Sequence, residues 1–567
     1  MAGQGGRTMR SIIRTGLVVL LAAIPFGVAQ PVRAAAPIAL EQVVEARVFQ
    51  RSTREGGPFG KGVGTIVLGV TLPAAGPVYA RMRALDGATI LQPAWLAAAQ
   101  APAGTSKVGL AGIGARLGGF HIDLAPSPDG PWTPGTTELH MGALFVQAPS
   151  QSLGVLMTRR AATDRTLAAL GIVPDRNAFV WATSNDPALA AQPGRWAHPS
   201  DDGPYGSAFA AQFLNDQIGR LGVSCGFVGH ATGAMAIGSF LPPGGREYPR
   251  WIAAIDEAGG FEGAIGMIGH SDASGRTSGS RFNLSVRAAR AIMARHNPVL
   301  GDRFAMALAT IPNIASPYWG TPADRDRIRH AGYEAMAATG GHYVQPYDLE
   351  LVDGVHQSNA GSRTLALHFS RAFAGGDESG NAAALGRPGD SLGEPLQLSP
   401  DAAFADVDGA RALAGGAAAA PGDVIPGGSE WSWSVRFRLD RGSVRDRAVL
   451  VGAGGQGHLH VEADGRLHSG GELPALASRA KVADGRWHVA ALVSTGQGVT
   501  LSLDGREEAR SPAPGPKGYG AVQWVRAYGG PGAFVFPGAI DWVAFGYWGV
   551  TTRYELDGDG SAAAPPR

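Results

Sequence analysis

The chain has 567 residues, a formal net charge of +1 and 45% hydrophobic residues, enough for roughly two to four domains with ordinary cores. A charge so close to neutral excludes the basic footprint of a nucleic-acid or anionic-membrane binder. A single cysteine, Cys225, excludes an intramolecular disulfide, and the 84 Gly and 39 Pro point to turn-rich β domains and linkers.

Residues 1–35 have the pattern of a secretory signal peptide. Arg7, Arg10 and Arg14 supply a positive start, Leu17 to Val28 an apolar core, and Val32 to Ala34 small residues for cleavage. Beyond it no apolar run approaches the ~20 residues of a membrane span. The mature chain is therefore expected off the membrane, exported to a bacterial periplasm or the exterior, where a chain without disulfides is at home.

Residues 38–147 read as short, partly alternating β runs separated by Gly, Pro and Asp clusters, which predicts an N-terminal β-sandwich. His121 alternates there with apolar neighbours and reads as structural. From residue 148 to 375 the texture changes. Helical spacing from Ser207 to Leu221 is followed by an apolar run from Val223 to Val228, with Cys225 as a buried strand thiol. Further strands are predicted at 264–268, 304–311 and 342–346, and helices at 283–295 and 322–338. This alternation predicts a parallel sheet with helices on both faces, an α/β three-layer domain. Residues 376–394 read as a linker. Residues 395–556 return to alternating β runs, beginning near Trp431, Trp487, Val499 and Ala539, which predicts a two-sheet β-sandwich. Residues 557–567 read as a disordered tail.

In open parallel sheets, sites form beyond the carboxyl ends of the strands. Ser152, Gly233, the 269–272 turn and the Asp353–His356 loop all follow predicted strands, so they can converge on one edge. Asp353 precedes His356 by three residues and can hold one imidazole nitrogen, leaving the other to take a proton. The nucleophile expected for this base is Ser152, which follows the strand broken by Pro149. Ser150 is its near competitor. Ser271, in a turn without a second flanking glycine, and the histidines His230 and His270 are weaker candidates for nucleophile and base. No cluster with metal-ligand spacing stands out, and neither a metal nor a cofactor is expected.

These blocks resemble those of the SGNH hydrolases, in particular the sialate O-acetylesterase-like carbohydrate esterases, whose catalytic domain has a flavodoxin-like fold. The family's Gly-Gln-Ser-Asn corresponds to Ser150-Gln-Ser152-Leu153. Its glycine block corresponds to the run from Val228 to Ile237, with Gly233 in the oxyanion position. Its Trp-x-Gln-Gly-Glu-Ser block corresponds to the run from Gly266 to Asp272, and its Asp-x-x-His block is Asp353 to His356. The departures fall in the middle. Ser150 replaces a Gly, Leu153 replaces the Asn, and Ile268 replaces the Gln that would donate to the oxyanion; Ile268 cannot donate.

The resemblance implies a metal-free acyl transfer. Ser152 attacks an acetyl carbonyl, His356 takes its proton, Asp353 orients the ring, and the backbone amides of Ser152 and Gly233 hold the oxyanion. His270 is a candidate substitute donor for the lost Gln. The implied partner is an acetylated glycan or oligosaccharide, and the oligomeric state is left open. Two alternatives remain at this point: an O-acetyltransferase of an exported polysaccharide using the same triad, and a non-catalytic glycan-binding protein on a degenerate esterase scaffold. The last segment resembles the concanavalin A-like (laminin G-like) sandwiches through Asp484-Gly-Arg-Trp-His, Leu503-Asp-Gly and Ile540-Asp-Trp. Its Trp487 and Trp542 are expected in the core.

Overall fold

The computed structural model describes residues 38–40, 47–134, 138–159, 164–184, 195–242, 244–314, 317–376, 397–419, 430–453, 457–515, 523–526, 536–547, 550–556 and 562–563. The expected signal peptide and almost all of the expected linker lie outside the described residues. Within the expected disordered tail, Ala562–Ala563 form a short strand against Arg553 and Tyr554, which corrects that expectation at these two residues.

The chain is multidomain and rich in β structure, and its first two segments are built on one mixed sheet. The axis of that sheet is β7 (Leu139–Gln147), buried along its whole length. A strand covered on both faces must be apolar on both, which is why Leu139 to Gln147 runs almost unbroken rather than alternating. Parallel to it lie β8 (Ala178–Ser184), β9 (Ser224–Ala231), β10 (Gly263–Met267), β11 (Ala305–Ala309) and β12 (His342–Val344), in the order β8-β9-β7-β10-β11-β12. Gly142 lets β7 and β9 approach, since a β-carbon there would stand 1.9 Å from the Ser224 carbonyl oxygen.

Alternate strand residues enter two cores. Phe145, Phe227, Ile265 and Ala307 pack with Phe209 and Phe213 of α2 (Ala208–Leu221) and with Leu365 and Phe369 of the C-terminal helix Asn359–Phe373. Leu144, Val146, Val228 and Leu308 belong to the other core. It holds Trp251 and Ile255 of α3 (Tyr248–Ala258), Phe282 and Ile292 of α5 (Gly279–Arg295), and Ile328 and Met336 of α6 (Pro322–Ala338). Of these elements, β8 and α3 escape the sequence reading.

The β elements before β7 are not a separate body. β1 (Arg47–Gln50) pairs parallel with the first half of β7. β3 (Gly76–Ala84), β4 (Ile90–Ala101) and β6 (Phe120–Ala125) extend the same sheet, joined to β7 through Phe120 opposite Leu139. β2 (Val63–Leu72) and β5 (Gly104–Gly114) form a second antiparallel layer. The layers meet through Ile66, Leu68 and Leu110 on one side and Val78, Met82 and Ile122 on the other. The boundary expected between residues 147 and 148 is thus corrected: the strand assigned to the N-terminal segment is the centre of the parallel sheet, because its apolar run serves both.

Among the described residues the C-terminal segment is a sandwich of a seven-stranded and a nine-stranded sheet. In β13 (Trp431–Arg438), Trp431, Trp433, Val435 and Phe437 point into the core and Arg436 and Arg438 point out. Trp487, which opens β14 (Trp487–Thr495), pairs with Arg438, and Trp542 of β15 (Ala539–Tyr547) pairs with Arg436. Side chains facing each other across strands share a face. Both tryptophans therefore lie on the outer face, which corrects the expectation of core positions. Arg436 stacks on Trp487 at 4.8 Å and Arg553 on Trp542 at 4.4 Å. His488 bridges Asp484 at 3.0 Å and Asp504 at 2.8 Å, so the Asp-Gly-Arg-Trp-His and Asp-Gly motifs are one structural tie.

The sandwich docks on the central domain. Tyr547 donates to the Pro242 carbonyl, Arg287 to the Thr551 carbonyl at 3.2 Å, and Arg295 pairs with Glu430 at 3.1 Å. One continuous apolar cluster runs through both bodies.

Candidate active site

Ser152 is placed by the chain leaving β7. Ala148 continues the ladder by donating to Ile265, and Gln151 donates to the Met267 carbonyl at 3.1 Å. Between them Ser150 is buried. Its hydroxyl donates to the Ala148 carbonyl at 2.9 Å and accepts from the Met267 N–H at 3.0 Å, while its carbonyl accepts from Thr232 at 3.2 Å. Ser150 thus ties the turn to β10 and to the loop after β9. Ser152 follows at the start of the short helix α1 (Ser152–Val155), half-buried, with a first-turn amide that has no partner within the helix. Gly154 is obligatory, because a β-carbon there would meet Ser150 Cβ at 2.4 Å.

The expected base, His356, arrives from the far end of the domain. Leu351 and Gln357 form an isolated antiparallel bridge, and Val352 donates to the His356 carbonyl at 2.8 Å, closing a tight loop. Inside it Asp353 Oδ1 accepts from the Val355 and His356 N–H groups at 2.9 and 2.7 Å. Its Oδ2 holds His356 Nδ1 at 2.7 Å, and His356 Nε2 lies 2.9 Å from Ser152 Oγ. Burial raises the Asp353 carboxyl, but the hydrogen bonds from His356 and Val355 and the nearby imidazole outweigh it and bring it down to about 2. The carboxylate is therefore charged when it holds Nδ1–H, Nε2 carries the lone pair, and the Ser152 hydroxyl donates to it. The loop is fastened to the nucleophile turn by Gln357, which donates to the Leu153 carbonyl at 2.8 Å. The structure brings together Ser152, Asp353 and His356 as a hydrogen-bonded chain. Both imidazole nitrogens are taken, which leaves Ser150 and Ser271 without this base.

Gly233 lies beside the nucleophile. A β-carbon on it would be 3.9 Å from Ser152 Cβ, and Ala234 behind it has a left-handed backbone with φ of 57°. Ile268, where the Gln of the resembled family stands, is buried in the core under α5 and α6. His230 is buried at the end of β9, 2.9 Å from Thr183 Oγ1 and 3.5 Å from Glu247; burial lowers its pKa against the pull of Glu247.

His270 opens α4 (His270–Ser274) and is only 1% exposed. Burial above all, helped by the charges of Arg329 and Arg325 and by His356 whenever that ring is protonated, presses its pKa down to about 3, so it is neutral. The Gln151 amide is satisfied when its oxygen faces His270. It then accepts from the His270 backbone N–H at 3.2 Å and from Nδ1–H, and its nitrogen donates to the Met235 carbonyl at 3.2 Å. In that tautomer Nε2 carries a lone pair and cannot donate. The expectation of His270 as a substitute oxyanion donor is corrected accordingly. Sequence reasoning missed the Gln151–His270 pairing, which joins residues 119 apart. It also missed Tyr318 and Trp319, on a 3-10 turn (Pro317–Trp319) after β11, where Trp319 meets the His270 ring edge-on at 5.8 Å.

A cleft of about 980 Å³ opens at the opposite end of the sheet, lined by Arg47, Phe49, Lys107, Glu257 and Val299 among others. Arg47 on its wall is already paired with Glu257 at 3.1 Å. The hydrogen-bonded chain of Asp353, His356 and Ser152 lies instead at the carboxyl ends of the strands. Among the described residues no group of three or more His, Cys, Asp and Glu is placed to hold a metal ion, and no helix is long and apolar enough to cross a membrane.

Residues 413–546 match the concanavalin A-like lectin/glucanases superfamily. No curated protein matches the chain. Among solved structures, a carbohydrate acetylesterase from Xanthomonas citri is similar at 15% identity and a TM-score of 0.40, over 78% of this chain and 91% of that one. A protein from Arabidopsis thaliana is similar at 15% identity and a TM-score of 0.31, over 41% of this chain and 98% of its own. A variant of an acetyl xylan esterase from Geobacillus stearothermophilus follows at 12% identity and a TM-score of 0.26, over 41% and 94%.

Proposed function

We propose that this chain is an exported serine esterase that removes O-acetyl groups from carbohydrate, with an SGNH-type three-layer catalytic domain. The observation that carries the reading is the chain Asp353–His356–Ser152, with links of 2.7 and 2.9 Å, at the carboxyl ends of parallel strands. In the forward step His356 Nε2 takes the Ser152 proton as Oγ bonds to the acetyl carbonyl carbon. The carbonyl oxygen becomes an oxyanion facing the backbone amides of Ser152 and Gly233. The imidazolium, stabilised by ionised Asp353, returns the proton to the departing sugar oxygen. Water, deprotonated by the same base, then releases acetate and restores Ser152.

Solvent access favours hydrolysis over transfer to a second sugar. The His356 side chain is 31% exposed and Asp353 52%, so water reaches the base without a lid opening. The carbohydrate half of the reading is supported by the motif resemblance of Ser150 to Leu153 and Asp353 to His356 and by the C-terminal match of residues 413–546. The test is acetate release from p-nitrophenyl acetate and acetylated oligosaccharides. Ser152→Ala is expected to lower kcat/KM by roughly 10³-fold or more with the fold intact. Full activity in that variant would remove Ser152 from the mechanism. No activity in the folded wild-type protein would return the chain to the glycan-binding alternative.

A further inference from the structure

Large apolar side chains left in water are unfavourable, and a cluster of them beside a site marks a binding surface. Two stand on loops at the carboxyl end of the sheet: Tyr318, 76% exposed, and Val352, which precedes Asp353. Tyr318 does not hang free. Its ring meets Trp319 edge-on, with centroids 4.9 Å apart and planes at 88°. Trp319 in turn rests against buried His270, and His270 is held by Gln151, the residue before Ser152. The aromatic pair is thus fixed through rings and one amide to the nucleophile turn, and its outermost ring has no protein packed over most of its surface. Such a pair is held rigidly at one end and open at the other.

We propose that Tyr318 and Trp319 form a stacking platform for a sugar ring next to the acetylated one, and that the substrate is an oligosaccharide or polysaccharide rather than a free acetylated monosaccharide. This deepens the esterase reading and rests on it. The C–H face of a pyranose is apolar and flat enough to cover an aromatic ring, which removes exposed apolar area on both sides. No ionised side chain belongs to the pair, so the platform selects ring shape and chain length rather than charge.

The experiment compares wild type with Tyr318→Ala on acetylated xylo- and gluco-oligosaccharides of graded length, with p-nitrophenyl acetate as the short substrate. Wild-type kcat/KM is expected to rise with chain length. In Tyr318→Ala that rise falls about tenfold, through KM, relative to the value on p-nitrophenyl acetate. A wild-type rate indifferent to length in both sugar series would overturn the proposal. So would an equal loss on long and short substrates, which is what a merely structural residue gives. A second readout separates the two claims: tryptophan fluorescence of Ser152→Ala titrated with the same oligosaccharides without acetyl groups. Quenching of Ser152→Ala that depends on Tyr318, together with no ester cleavage by the wild type on any of these substrates, sinks the esterase reading and keeps the platform. Cleavage without any Tyr318 dependence in either readout keeps the esterase and sinks the platform.

Discussion

Asp272 lies two residues beyond His270, buried, and accepts from the Ile237 N–H at 3.1 Å and from Thr277 Oγ1 at 3.3 Å. Burial raises its carboxyl from 3.8 to about 7, against those hydrogen bonds and the charge of Arg281. The native state therefore keeps a proton that the unfolded chain releases near 3.8, and it binds more protons than the unfolded state up to about 7. Stability contributed by this group is present below 3.8, falls as pH rises through that window, and is constant above it. Asp272→Asn keeps an acceptor and removes the titration. Relative to wild type, its urea midpoint is expected to improve between about pH 5 and about pH 8, by on the order of 2 kcal/mol in stability. An unchanged difference between the two pH values would refute the assignment. At this scale the sequence is legible where the chemistry is local. Asp353 and His356 sit in one loop closed on itself, so their spacing is visible. Ser152 is visible from the strand break at Pro149. Gln151, His270, Tyr318 and Trp319 are brought together only by the sheet, and nothing in the runs around them announces it.

Elements were legible to the extent that their burial was uniform. β9, β10 and β11 are buried on both faces and read as apolar runs within three residues of their observed ends. α6 is fixed by the capping box of Thr321 and Asp324 and by Pro322 at its start, signals that belong to the first turn alone. β8 and α3 were missed. The Ala178–Ser184 run is as short as a buried helix segment, and α3 mixes Arg, Asp and Glu into a half-covered face. Trp487 and Trp542 were misplaced by phase: one residue along a strand reverses the face, and only the pairing with Arg438 and Arg436 sets it. The same strictness gives a prediction. Gly142→Ala places a carbon against the Ser224 carbonyl in the middle of the sheet, where backbone cannot yield. Its expected outcome is loss of cooperative thermal unfolding by circular dichroism, a cost above about 4 kcal/mol. A variant that melts like wild type would show that β7 and β9 are not so closely paired.

At the scale of the molecule, three polar ties and a shared apolar cluster join the C-terminal sandwich to α5 and the loop after β9. The two bodies are expected to melt in one calorimetric transition. Tyr547→Phe, which removes the hydroxyl bound to Pro242, is expected to cost about 1 kcal/mol in that transition without splitting it. Two separated transitions in the wild type would contradict the docking. The first boundary, between the β layers and the parallel sheet, was not legible because it does not exist as a break in the chain: β7 serves both sides. That sharing has a consequence for biosynthesis. β7 leaves the ribosome before every one of its parallel companions except the short β1, and β9 and β10 begin only at Ser224 and Gly263. Through that interval this buried strand is paired only along its first half by β1 and at Leu139 by β6, and the rest of its edges are a template for pairing with any other nascent chain. The segment that later centres the fold is, while the chain is being made, the one most in need of a chaperone.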